Sequence, residues 1–70
     1  MIPLSVSAVG ENHIIKKVGG SPEVKQHLAD LGLTVGGSVM IVSELGGNLI
    51  LNVKDSRIAL SKETALKIMV

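Results

Sequence analysis

The sequence predicts a small, mainly β domain, a partly open β-barrel of about five short strands with one helix inserted after the first. Three observations predict it. Eight glycines cut the 70 residues into short periodic segments, with no repeat or linker among them, and the length suits one domain over residues 1–70. Most of those segments are rich in β-branched side chains or alternate apolar with polar. Only one carries a full set of helix-end signals. So few residues cannot bury an apolar face with a flat sheet of short strands, whereas partial closure into a barrel with the helix over one end can. A two-layer α+β sandwich uses the same segments, and only strand order separates the two.

The elements follow in order. Residues 12–18, between Gly10 and Gly19-Gly20, read as the first strand. Ser21 then offers a side-chain cap, Pro22 sits where a missing N–H is harmless, Glu23 meets the positive end of the dipole, and Gly32 suits a left-handed C-cap. A helix over 22–31 results, and Val24, Leu28 and Leu31, at i, i+4 and i+7, commit one face of it to the core. After a turn at residues 34–37, segments 38–45 and 49–54 form a hairpin. If Val39 and Ile41 face inward with Leu49, Leu51 and Val53, parity asks for an odd loop, which the triplet Gly46-Gly47-Asn48 provides. Asp55-Ser56 makes the next turn and 57–60 a short strand with Ile58 and Leu60 on one side. Ser61 caps a helical turn supported by Glu63, and 68–70 closes the chain as a strand. The expected core is Val24, Leu28, Leu31, Val39, Ile41, Leu49, Leu51, Val53, Ile58 and Leu60.

Composition narrows the function. With no cysteine there is neither a disulfide framework nor a thiolate metal site, and thiol catalysis is excluded. With no Phe, Tyr or Trp there is no aromatic groove for Pro-rich peptides and no stacking platform for single-stranded nucleic acid. Seven basic and six acidic residues leave a net charge of +1, and Lys16-Lys17 is the only adjacent basic pair, so nucleic acid is not the expected partner. No apolar run approaches the roughly 20 residues of a membrane span, and the first residues carry no signal-peptide pattern, so a cytoplasmic protein without membrane insertion is expected.

The run Leu28-Ala29-Asp30-Leu31-Gly32-Leu33-Thr34-Val35-Gly36, then Val39 and Ile41, then Asp55-Ser56-Arg57-Ile58-Ala59-Leu60, resembles the ferrous iron transport protein A family, FeoA. Upstream, Leu4, the Val9-Gly10-Glu11 turn and the strand from His13 match the way such proteins begin, and Ala65 and Ile68 match the way they end. The ordered set, rather than any single piece, is specific. The resemblance implies an SH3-like β-barrel and a non-enzymatic, cytosolic accessory role beside FeoB, the membrane GTPase transporter of ferrous iron. A similar domain ends metal-dependent repressors, but this chain has no winged-helix portion and looks like the stand-alone form. It departs from the family pattern at Asn48, often a proline there, and at Ile50, often charged.

Iron directs attention to metal ligands. Glu23, His27 and Asp30 stand at i, i+4 and i+7 and so share a helix face, which makes a weak ferrous iron or zinc site, and hence a metal-responsive binding module, the alternative function. The plainer reading is a solvated polar stripe beside the apolar one, with no resident cofactor. His13 reads as solvent-facing. Gly19-Gly20-Ser21 before a helix resembles an anion loop, but Pro22 removes a donor and Glu23 adds a negative charge, which favours a simple capped turn. Arg57 could serve a GTPase partner as an arginine finger; a strand arginine that blunts an edge accounts for it as well.

The hairpin parity has a second consequence. If Val39, Ile41, Leu49 and Leu51 face inward, Met40, Val42 and Ile50 face outward and form an apolar patch suited to a partner or to weak self-association. The competing expectation is that a terminal segment, or the turn around Val6, folds over them as a second small core.

Overall fold

The computed structural model describes all 70 residues. In chain order they form a 3-10 turn Leu4–Val6, strands β1 (Asn12–Ile14) and β2 (Lys17–Val18), helix α1 (Pro22–Asp30), strands β3 (Ser38–Leu45), β4 (Asn48–Val53) and β5 (Ser56–Ser61), the single helical turn α2 (Lys62–Ala65) and strand β6 (Ile68–Met69). An antiparallel sheet in the order β1-β3-β4-β5 forms the larger part, and β2 with β6 makes a second, two-stranded piece. The barrel is SH3-like and partly open: the four-stranded sheet does not close on itself.

The hairpin reaches the expected facing by a different route. Its loop has two residues, Gly46 and Gly47, with φ of 57° and 84°, a left-handed pair that only glycine adopts at no steric cost. A two-residue loop sets odd parity, so Leu45 pairs with Asn48, Glu44 with Leu49 and Ser43 with Ile50. Val42 is then an extra residue, a β-bulge, below which Ile41 pairs with Leu51 and Met40 with Asn52. The bulge therefore does what the expected three-residue loop was to do. Above it Glu44 shares a row with Leu49 and forms an ion pair with Lys62 of α2. The β4–β5 turn lies one residue earlier than expected, at Lys54-Asp55, with Lys54 at φ 55°.

The predicted first strand is in fact two strands in different sheets. β1 pairs with β3, β2 pairs with β6, and between them the Ile15 N–H donates to Gly37 and the Lys16 N–H to Met69. Continuous β-branched character marks extended chain but cannot register a change of partner. The strand count is accordingly six, and the helix follows the second. Helix α1 is capped as the sequence predicts: Ser21 Oγ accepts from the Val24 N–H at 3.3 Å, Leu31 is the C-cap, and Gly32 follows at φ 90°.

Thirteen apolar residues form the core. Seven of the ten expected members are fully buried, while Val24, Leu31 and Ile58 pack against it half-buried. Leu4, Ile15, Leu33, Ala65, Ile68 and Val70 complete the core without having been expected there. Four of these six belong to the seam where the two chain ends meet. Ile2 and Val70 exchange backbone hydrogen bonds of 3.0 and 2.9 Å, Pro3 bridges to Met69, and α2 packs on the turn that carries Leu4.

Candidate functional site

The outer face of the four-stranded sheet carries a diagonal apolar stripe. Opposed residues in an antiparallel ladder share a face, and diagonal neighbours lie within side-chain reach. Asn12 opposes Met40 and Ile14 opposes Ser38, so Ile14 is the diagonal neighbour of Met40. Met40 opposes Asn52, diagonal to Ile50, which in turn opposes Ala59. Ile14, Met40, Ile50 and Ala59 thus cross all four strands, flanked by Asn12, Ser38, Ser43, Asn52 and Arg57. Met40, Val42 and Ile50 are half-buried among their neighbours, whereas Ile14 is 53 % exposed. Val42, as the bulge residue, sits beside this stripe rather than in regular alternation.

The N-terminal turn does not bury itself on this face. Leu4 enters the main core and Val6 is left 67 % exposed. At the other terminus Ile68 and Val70 are likewise spent on the main core. Ile14 joins the stripe only through the β1–β3 register, a nonlocal pairing that parity within the hairpin does not reach.

A concavity runs beside α1. Val18, Ala29, Leu33 and Val35, with Lys25 and Thr34, line a cleft of about 300 Å³. Its residues come from β2, α1 and the segment after the helix, so no single periodicity announces it. Its apolar floor and two polar groups could seat an aliphatic side chain, but it gathers no catalytic pair.

The proposed ligand stripe stays dispersed. Glu23, His27 and Asp30 are exposed along α1, and Asp30 Oδ1 accepts a 2.9 Å hydrogen bond from its neighbour Gln26. No three His, Asp or Glu side chains come together anywhere in the chain in a way that could hold an ion. His13 departs from expectation: it is half-buried, and its Nε2 donates to the Ala8 carbonyl at 3.0 Å, pinning the turn before β1. Arg57 lies within β5 opposite Asn52, held by the sheet rather than on a projecting loop. The Gly19-Gly20-Ser21 approach is used as a helix cap, with the Lys25 N–H donating to the Ser21 carbonyl at 2.9 Å. No helix is long and apolar enough to cross a membrane.

Residues 2–70 match the FeoA domain. Over all 70 residues the chain is 33% identical to a Methanocaldococcus jannaschii protein named "Putative Fe(2+) transport protein A", covering 85% of it. The fold superposes with a TM-score of 0.89 on the crystal structure of an iron uptake regulatory protein, FeoA, at 30% identity, covering 99% of this chain and 92% of that one. A zinc complex of FeoA from Stenotrophomonas maltophilia, described as an SH3 domain protein, matches with a TM-score of 0.85 at 22% identity, covering 100% of this chain and 89% of that one. The zinc is that protein's, and the likeness at that identity is one of fold.

Proposed function

The chain belongs to the FeoA family, a family of non-catalytic accessory domains of ferrous iron transport, and from that premise we propose that it is a cytosolic protein that docks on the membrane GTPase transporter of ferrous iron and modulates it. The observation that carries the reading is the outer stripe. Met40, Val42 and Ile50, extended by Ile14, form a clustered apolar surface on adjacent strands. Methionine's flexible thioether suits a surface that must adapt to a partner. Ile50, where the resemblance to FeoA proteins leads one to expect a charge, adds an apolar side chain to this surface.

The experiment is recovery of the transporter from membranes holding both proteins by a tagged copy of this chain. Retention through washing supports docking, and consistent failure to recover the transporter overturns it. Arg57 borders this stripe on the outer face but is fixed within β5 rather than carried on a projecting loop, so Arg57→Ala should leave the GTPase rate of the bound transporter unchanged once binding is saturated, and a lost rate at saturation would make it an arginine finger.

A further inference from the structure

Strand β5 is left at the rim of its sheet. It pairs with β4 on one side only. None of the backbone hydrogen bonds made outside helices and strands involves Ser56–Ser61, so alternate N–H and C=O groups along roughly 20 Å of strand have no partner. The usual devices that blunt such an edge are almost absent. Residues 56–61 contain no proline and no lysine, the β4–β5 register runs unbroken through six pairs, and Arg57 is the one charge. The opposite edge, β1, is kept to three residues. Ile58 faces the core and is nonetheless only half-buried at this rim, while Ala59 on the outer face is exposed.

We propose that β5 is a self-association edge, at which two copies of this chain pair antiparallel about a two-fold axis through Ala59 and continue the sheet from one copy into the next. The strand's own pattern selects a second copy as the occupant. A two-fold axis normal to the sheet keeps the faces in register, so opposed residues share a face and the axis passes through a residue pair. With the axis at Ala59, Ile58 opposes Leu60 of the second copy and Arg57 opposes Ser61, which keeps the two cations apart. The apolar row Ile50–Ala59 then runs on into Ala59 and Ile50 of the second copy, and Ile58 gains the cover it lacks. An axis at Ile58 would instead oppose Arg57 to Ala59 and break that row.

Area sets the class of interface. A standard interface takes about 800 Å² from each partner, close to a fifth of this chain's 4217 Å² surface, and one strand rim supplies less. A rim of that size falls among the small, transient interfaces, so the dimer's dissociation constant is sought toward the millimolar range. It stands independently of transporter docking and is tested on the full chain alone.

Sedimentation equilibrium from about 20 μM to about 2 mM brackets that constant, and amide exchange at the two extremes locates the contact. The expected result is a rising dimer fraction with alternate β5 amides slowed at high concentration only. Ala59→Glu sets two carboxylates against each other at the axis and should give a monomer throughout, with a melting temperature within a few degrees of the parent because Ala59 is exposed. Ala59→Thr, which adds no charge and favours strand pairing, should tighten the dimer severalfold and keeps the test open if the glutamate harms the fold. A chain monomeric at every concentration overturns the proposal, as does a dimer that leaves β5 unprotected or survives Ala59→Glu.

Discussion

The β3–β4–β5 sheet and the seam that joins the chain ends are both buried and both essential, yet they are specified in different ways. In the sheet, residues from 3 to 13 positions apart in the chain oppose one another, and alternation of apolar and polar side chains decides which face is inside. In the seam, Leu4 meets a core that also holds Ile68 and Val70, more than 60 residues later in the chain. Nothing in the local pattern of either end sets that meeting. The difference teaches that short-range periodicity fixes the platform of this fold, while its closure depends on pairings between distant segments.

The largest expected effect breaks the platform. Leu51 is fully buried on a central strand, and Leu51→Ala should cost about 2–5 kcal/mol in urea unfolding. In so small a domain that is a large share of the total stability. The matched break in the seam is Leu4→Ala. Leu4 is equally buried, but it sits on a terminal 3-10 turn that can relax around the lost volume, so about 2–3 kcal/mol is expected. Hydrogen exchange sharpens the contrast: the seam amides of Ile2, Lys16 and Val70 should exchange by local opening, below the free energy that governs the β3–β4 ladder. Equal protection in both regions would contradict the division.

Helix α1 and the hairpin facing were legible because their determinants are local. Ser21, Pro22 and Gly32 mark the helix ends, and seven residues of the expected core are fully buried. Two expectations failed for one shared reason. Residues 12–18 change sheet at Ile15, and the hairpin inserts a bulge at Val42; both depend on which strand lies alongside, not on side-chain type. The site was legible to the same degree. The outward facing of Met40 and Ile50 follows from hairpin parity, while the bulge at Val42, the addition of Ile14 and the lining of the cleft beside α1 required the assembled fold. Glu23, His27 and Asp30 show what spacing alone can say, since it aligns them on one helix face without gathering three such side chains at one point.

Smaller effects belong to the boundaries. Ser21→Ala removes the cap of α1 and should cost about 1 kcal/mol, read as a lower denaturation midpoint with an unchanged slope. Glu44→Ala removes the ion pair with Lys62, whose side chains are both about half exposed, and should change stability by less than about 1 kcal/mol, fading further at high salt.

The most direct test of the docking account is co-purification of the transporter with Ile50→Lys beside a thermal melt of the same variant. Ile50 is half-buried on the outer face opposite exposed Ala59, so the lysine can extend into solvent past its neighbours. The account predicts transporter recovery lost while the melting temperature stays within a few degrees of the parent. Undiminished recovery by a folded Ile50→Lys protein, or collapse of the fold on substitution, would contradict it.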